Sequence, residues 1–519
     1  MRRWLPLVTV CLGTFMLLID ATIVNVALPD VARDLKTSFG SLQWVVNAYA
    51  LVMASLVLGA GSIADLVGHR RAYVAGLGLF AGSSLVCGLA TNAPTLIAAR
   101  AVQGIGAAAM LATTFALLNS NYHDPRDRGT AYGLWGAVAG ASGAVGPIIG
   151  GALTEAASWR WVFFVNLPVS VLAVALCLVI LDDVHEPYAG RVDLGGLATF
   201  TAAAASLTYG LIRANGHGWS SPASWAWLIA APAFLAAFVA VELRSDHAML
   251  DLGLLRRRSF VGVLVGGMLL FAAAFGALTY VSIWLQSVLG LSPVQAGLVL
   301  LPMSAASFGA SALVGRVLRH LTPERVLATG LALAGAGGLL GAALLHGAAS
   351  WPAVIPGLVL VGLGVGLTTP TLSSAAMSAV PAQRGGMAGG TLNTAQELGF
   401  TLGTATLGSV FAARAAHLLN GHRVGSATEV SRGLAGGQRD ALLSTAPASA
   451  RPSLDHALHV AALGGMQWIA LTSGAVGLLA AAWVLVALRR GGDATPSGRP
   501  AEVSRPPEPA ASRAGRPGP

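Results

Sequence analysis

Long apolar runs, separated by short polar connections, dominate the hydrophobic and polar pattern of this chain. A helix needs about 20 mainly apolar residues to cross the hydrocarbon core of a bilayer. By that measure the predicted spans are 6–28, 42–64, 72–92, 95–119, 130–153, 161–181, 194–213, 224–243, 260–286, 295–315, 325–346, 352–374, 389–413 and 461–488. The pattern therefore predicts an all-α integral membrane protein with 14 transmembrane helices, and an even number places both termini on one side.

The basic residues indicate which side that is. They cluster at the N-terminus, at alternate connections and after the last span, namely at Arg2, Arg3, Arg70, Arg71, Arg126, Arg128, Arg191, Arg244, 256–258, Arg316, Arg319, Arg325, Arg384, Arg489 and Arg490. Short cytoplasmic loops carry the excess of Lys and Arg. We therefore predict a multi-pass protein of the cytoplasmic (inner) membrane with both termini cytoplasmic.

Three stretches fall outside the predicted spans. Residues 414–460 form a long, polar, external loop, and residues 491–519 form a tail whose composition predicts disorder. The cytoplasmic linker 244–258 contains three consecutive arginines. They serve either as a topology anchor or as a binding site for anionic head groups.

Composition excludes several other classes of protein. Of the 519 residues, 55% are hydrophobic and 10% charged, whereas soluble domains carry about 25% charged residues. The net charge of +9 is spread over inter-helix clusters, which argues against a nucleic-acid partner. Lys36, the only lysine, follows Leu35, so a phosphate-binding Gly-Lys-Ser/Thr loop is absent. We expect no cofactor, and the scattered histidines predict no metal site.

Asp20 lies within the first apolar run. A charged group at mid-bilayer costs roughly 2.5–3.5 kcal/mol on insertion scales, so Asp20 should face the protein interior or a watery cavity. There it either takes part in proton coupling or is held structurally by Asn25 or an arginine.

Arg100 is the only basic residue deep in a span. Helical spacing places Arg100 and Gln103 on one face. Because a guanidinium does not deprotonate, Arg100 would tune nearby carboxylates, or form a purely structural ion pair.

Glu397 lies well inside the thirteenth span, and Asn393 one turn earlier shares its face. Glu397 is the second candidate for a proton site or for contact with a cationic substrate. Asn25, Gln103 and Asn393 are the candidate polar residues of a substrate cavity.

Two further motifs concern helix packing and gating. Glycines at steps of three or four along the fifth span, including Gly146, Gly150 and Gly151, predict a close packing seam, which Pro147 would kink. A seam of this kind is also where a rocking carrier could move.

Between spans 2 and 3, Gly68 permits a tight turn, and Asp65 with Arg70 and Arg71 could reach neighbouring helix ends. Gly61 opens this segment, which we interpret as a cytoplasmic gate loop.

These blocks together resemble the major facilitator superfamily, in particular its fourteen-helix drug:proton antiporter branch. The Asp20 block is similar to the first-helix signature, Arg100 to Gly106 to the fourth-helix motif, and Gly146 to Gly151 to the fifth-helix antiporter motif. The segment from Trp159 to Pro168 is also similar. Leu66 and His69 depart from the family's gate motif, which usually has arginine at both positions, and residues 315–325 resemble a decayed second copy of it.

The resemblance implies a six-helix bundle over 1–185, inserted helices 7 and 8 over 186–250, and a second bundle over 251–490. It implies export of small amphipathic drugs or an antibiotic across the bilayer in exchange for protons. We expect a monomer, and because the sequence contains no catalytic constellation we expect a transporter and not an enzyme. A proton-independent facilitator or importer and a non-transporting receptor or scaffold are the alternatives. Narrow antibiotic export and broad multidrug efflux both stay open.

Overall fold

A computed structural model describes residues 2–37, 39–122, 124–181, 193–217, 219, 221–245, 248–314, 321–347, 350–380, 385–420, 426–444 and 446–489. Its long helices are α1 (Leu5–Leu35), α2 (Phe39–Val67), α3 (His69–Gly88), α4 (Ala93–Asn121), α5 (Pro125–Ala156), α6 (Trp161–Ile180), α7 (Leu194–His217), α8 (Pro222–Glu242), α9 (Arg258–Val288), α10 (Pro293–Val314), α11 (Pro323–Leu344), α12 (Ile355–Ser378), α13 (Gly385–Leu419) and α14 (Arg451–Arg489). Each coincides with one predicted span, so the all-helical fold class is confirmed.

Within the described residues, eleven helices are long and apolar enough to cross a membrane. The helices α3, α5 and α13 fall outside that group. Glycine and polar residues recur along them and lower their hydropathy, and α5 and α13 pack between other helices. That all fourteen helices span the bilayer therefore stays a prediction.

The helices α1–α4 and α6 pack mainly on one another, as do α9–α14, while α5 packs against both groups. The two groups meet where α2 contacts α13 and where α5 contacts α10. The helices α7 and α8 pair with each other, and α7 also contacts α2 and α13. The predicted division at 185 and 250 is compatible with this packing, and residues 182–192 lie outside the described part.

Two helices depart from regular α geometry. In α6 the helix is interrupted at Val165 and resumes at Asn166. Pro168 therefore falls in a first helical turn, where its missing N–H costs no hydrogen bond.

In α9, π-helical turns span Phe271–Phe275 and Trp284–Val288. The apolar pattern contains no signal for either turn.

Much of the polar segment 414–460 is helical in the described structure. The helix α13 continues to Leu419, α14 begins at Arg451, and short helices cover Ala427–Ala435 and Arg439–Ser444. Arg439 pairs with Asp455 at 2.5 Å, which ties the second short helix to α14. The predicted loop is therefore shorter than 414–460, and the predicted tail lies outside the described residues.

Candidate functional site: a buried ion-pair network

Asp20 and Arg100, which lie 80 residues apart in sequence, form an ion pair inside the first group of helices. Arg100 Nη1 lies 2.5 Å from Asp20 Oδ2, and both side chains are fully buried. Gln103 is also buried; it accepts a hydrogen bond from Arg100 at 2.7 Å and donates one to Asp20 Oδ1 at 3.0 Å. The sequence-predicted residues Asp20, Arg100 and Gln103 therefore form one cluster.

Two residues from other helices complete the cluster. The amide of Asn166, on α6, donates to Asp20 Oδ1 at 2.7 Å and to Ser84 Oγ at 3.3 Å. Ser84, on α3, also accepts from Gln103 Nε2 at 2.8 Å. The carboxylate of Asp20 thus accepts hydrogen bonds from three side chains, those of Arg100, Gln103 and Asn166. The network joins α1, α3, α4 and α6.

Arg100 has two further neighbours on α2. Its Nε donates to the carbonyl of Val45 at 3.1 Å, and its Cζ lies 4.2 Å from the ring centroid of Tyr49. At that distance a cation–π contact offsets part of the desolvation of the guanidinium. Within the described residues, Nη2 of Arg100 is buried and has no hydrogen-bond acceptor. Removing one partner of such a buried pair typically costs about 3–5 kcal/mol.

Glu397 lies on the face of α13 that is directed toward the first group of helices. Gly386 lies three turns earlier on that face and Gly390 two turns earlier. Both approach α2 closely, because a Cβ added at Gly386 would meet the backbone of Gly61 and one added at Gly390 would meet the backbone of Val57. Glu397 is partly buried, and within the described chain its carboxylate has no hydrogen-bond or ion-pair partner.

The three candidate cavity residues have different surroundings. The side chain of Asn25 lies outside the described part. Gln103 belongs to the ion-pair network, and Asn393 is buried and donates to the carbonyl of Leu111 on α4 at 3.1 Å. Asn393 therefore joins the two groups of helices, and the predicted role of these three residues in lining a cavity stays a prediction.

The predicted gate loop brings the end of α2 to the start of α13. Both oxygens of Asp65 accept backbone hydrogen bonds, from Gly386 N at 2.8 Å and from Met387 N at 2.9 Å. A carboxylate at a helix N-terminus satisfies unpaired N–H groups and complements the positive end of the helix dipole. Gly61 fits against the carbonyl of Gly386, where an added Cβ would be 2.3 Å from the oxygen.

The other gate residues shape and support the turn. Gly68 has φ of 99°, a left-handed conformation that favours glycine, and it separates α2 from α3. His69 Nε2 lies 3.5 Å from Asp65 Oδ1. Arg70 donates to the carbonyl of Leu178 on α6 at 2.6 Å, while Arg71 is exposed. Residues 315–320, most of the second gate copy, lie outside the described residues.

The glycine seam of α5 packs against α1. A Cβ added at Gly146 would lie 2.0 Å from Thr22 Oγ1, and one added at Gly150 would lie 2.8 Å from Ile23 Cγ1. Gly151 is partly buried on the same helix, and the side chain of Pro147 lies outside the described part of the structure. Nearer the start of α5, Gly133 contacts the carbonyl of Ser311 on α10. The glycines of α5 thus contact both α1, the helix that carries Asp20, and α10 of the second group of helices.

A family comparison decides what this arrangement belongs to. The model of the Major Facilitator Superfamily matches residues 10–404, which is more than half of the chain. The chain belongs to the major facilitator superfamily. As a member of this superfamily it is a multi-pass membrane transporter, in agreement with its apolar helices.

Other superfamily members that resemble the chain have names that refer to drug resistance and export. The multidrug resistance protein Stp of Mycobacterium tuberculosis is 38% identical over 80% of this chain and 78% of its own. The puromycin resistance protein of Streptomyces alboniger is 35% identical over 83% of this chain and 86% of its own. The tetracenomycin C resistance and export protein of Streptomyces glaucescens is 32% identical over 93% of this chain and 91% of its own.

A solved structure of the superfamily supports the fold. The human organic anion transporter MFSD10 matches 93% of this chain and 99% of its own, with a TM-score of 0.61 and 15% identity. At that identity the likeness concerns the fold alone.

Asn166, Ser84 and Tyr49 were not among the predicted site residues. A signal for Asn166 is present in the sequence, because an amide beside Pro168 in an apolar run requires a buried partner. Ser84 and Tyr49 lack such a signal, since serine and tyrosine are common in apolar helices. In the described residues no group of three or more His, Cys, Asp and Glu side chains could hold a metal ion.

Proposed function

We propose that this superfamily member exports amphipathic drugs or an antibiotic across the cytoplasmic membrane in exchange for protons. The observation that carries the proposal is the buried Asp20–Arg100 pair with its Gln103 and Asn166 donors. The relatives named for multidrug, puromycin and tetracenomycin C resistance supply the substrate class. Both termini would be cytoplasmic, with the Asp65 contact at the cytoplasmic end.

Asp20 would be the proton-coupling carboxylate and Arg100 the group that sets its charge state. When Asp20 is protonated, its attraction to Arg100 is lost, and Arg100 is left as a buried cation with Gln103, Val45 and Tyr49 as neighbours. A buried unpaired charge is unfavourable, so protonation would favour a rearrangement of α1 against α4. The glycine seam would transmit that movement from α1 to α5.

Glu397 would be the second titrating or cation-contacting group. It faces the first group of helices and has no partner in the described chain, so a proton or the amine of a substrate could reach it without breaking an existing ion pair. Each inward proton yields about 2.3 kcal/mol per 100 mV of membrane potential. A tenfold substrate gradient requires about 1.4 kcal/mol, so one proton suffices for it.

Transport into everted membrane vesicles with an imposed pH gradient tests the proposal. Wild type should accumulate an amphipathic dye or antibiotic and release protons, Asp20→Asn should abolish gradient-driven transport at equal expression, and Glu397→Gln should reduce it. Asp440→Asn is the matched control, because the side chain of Asp440 is 91% exposed.

Gradient-independent transport by wild type would instead support a facilitator. Substitutions of Asp20, Arg100 and Glu397 that all leave function intact would support a receptor or scaffold.

A further inference from the structure

The linker between α8 and α9 carries a concentrated positive charge. Arg244, Arg256, Arg257 and Arg258 are all exposed, and within the described residues none of their side chains has a hydrogen-bond or ion-pair partner. Arg257 is the N-cap residue of α9 and Arg258 is its first residue, where the positive end of the helix dipole disfavours further cations. The like charges repel one another, and a bound anion would relieve that repulsion.

The segment that carries these arginines is held by the protein. The buried carboxylate of Glu242 accepts backbone hydrogen bonds from Met249 and Leu250, both at 3.2 Å. Met249, Leu250 and Leu254 are at most 5% exposed. Arg256, Arg257 and Arg258 therefore follow a packed platform, residues 249–254, so an anion that binds them would not have to order that segment first.

Exposed apolar residues adjoin the same arginines in sequence. Leu243 is 73% exposed and Leu255 40% exposed, one next to Arg244 and the other next to Arg256. A soluble anion would gain nothing from these leucines, whereas a lipid offers acyl chains to leucine and a phosphate to arginine. The surface therefore matches an anionic phospholipid better than a free phosphate.

The platform also touches the gate segment. Ser62 Oγ on α2 donates to the carbonyl of Met249 at 3.5 Å, and Ser62 follows Gly61, which contacts Gly386 on α13. A ligand that holds the linker at the membrane surface would therefore also restrain the end of α2 that carries Asp65.

We propose that Arg244, Arg256, Arg257 and Arg258, with Leu243 and Leu255, form a binding site for the head group of an anionic phospholipid. Each basic residue near an anionic membrane surface contributes about a fivefold change in binding constant. Replacing the three consecutive arginines should therefore weaken binding by about 100-fold.

Native mass spectrometry of the purified full chain tests this site with phosphatidylglycerol as ligand and phosphatidylcholine as the neutral comparison. Wild type should retain phosphatidylglycerol selectively, the triple Arg256→Gln, Arg257→Gln, Arg258→Gln variant should lose that selectivity, and the triple Arg→Lys variant should keep most of it. Arg432→Gln, at an exposed arginine without a side-chain partner in the described chain, is the control.

Three outcomes would overturn the proposal. Equal retention of both lipids by wild type, unchanged selectivity in the triple Gln variant, or equal competition by glycerol phosphate would each show that no anionic lipid site exists here. If the triple Gln variant inserts incorrectly, the single Arg257→Gln variant takes its place, with an expected loss of about fivefold. The measurement uses no transport assay, so its result is independent of proton coupling.

Discussion

The side-chain amide of Asn166 donates a hydrogen bond to Oδ1 of Asp20 over 2.7 Å, although the two residues lie 146 positions apart in sequence. Asn166 can make this contact because α6 restarts at that residue after its interruption at Val165. The same amide contacts Ser84, so Asn166 holds α6 to both α1 and α3. Asn166 and Arg100 donate to different oxygens of the Asp20 carboxylate, Oδ1 and Oδ2 respectively.

We expect Asn166→Ala to destabilise the protein by about 2 kcal/mol, because a hydrogen bond to a buried charged group contributes about 1.5–3 kcal/mol. The measurement is thermal unfolding in detergent. Asn121→Ala is the matched control, since within the described residues the amide of Asn121 donates to Leu117 and Ser120, both nearby on its own helix. Equal stability of the two variants would mean that the contact between Asn166 and Asp20 contributes nothing.

At Gly146 we expect substitution by alanine to destabilise the protein by about 1–3 kcal/mol, the usual cost of overpacking a well-packed interface. The added methyl would overlap Thr22 Oγ1 and force α5 away from α1. At Gly82 the same change meets no atom within 4 Å and should be neutral or slightly stabilising, because alanine favours helix. Unfolding of both variants in detergent compares them, and a neutral Gly146→Ala would contradict the seam.

For Asp65→Asn we expect the ends of α2 and α13 to separate more often. The variant loses a charge at the N-terminus of α13 and one of two backbone hydrogen bonds, together about 2 kcal/mol. That energy changes the ratio of closed to open molecules about 30-fold.

Spin labels at exposed Val67, at the end of α2, and at exposed Ser378, the last residue of α12 and the helix end that precedes α13 in the chain, would report this separation as a longer distance. Asp440→Asn should leave the distance distribution unchanged. An unchanged distribution in Asp65→Asn would show that the carboxylate does not hold the gate closed.

Asp34 lies outside the apolar span Leu5–Val24. Its interaction with Arg160 should make a pH-dependent contribution to the stability of the protein. Hydrogen bonds from Arg160, at 2.5 Å, and from Trp159 lower the pKa of this carboxyl below its ordinary value of 3.8. A lowered folded-state pKa means that the stabilisation is present above pH 3.8 and is lost as the pH falls through the folded-state value.

The thermal unfolding temperature of Asp34→Asn should therefore lie below that of wild type at pH 7, and the difference should shrink toward pH 3. A difference that does not change with pH would refute the ion pair with Arg160.

The sequence by itself determined the positions of the helices and the class of protein. Apolar runs of the length of a bilayer leave helices as the way to satisfy every backbone group in lipid, so all fourteen predicted positions coincide with helices. It also singled out Asp20, Arg100 and Glu397, because an ionisable residue in an apolar run is costly and needs a reason to be there.

Only the tertiary structure decided which of these residues meet. Periodicity predicts which face of a helix a residue occupies, but the neighbour of that face depends on packing between segments far apart in sequence. The sequence therefore could not show that Asn166 donates to Asp20 or that Ser84 joins the same network. Nor could it show that Glu397 has no partner in the described chain. The contact of Asp65 with the start of α13 likewise requires residues 65 and 386 to meet, and the close approach of Gly61 to Gly386, rather than any local pattern, brings them together.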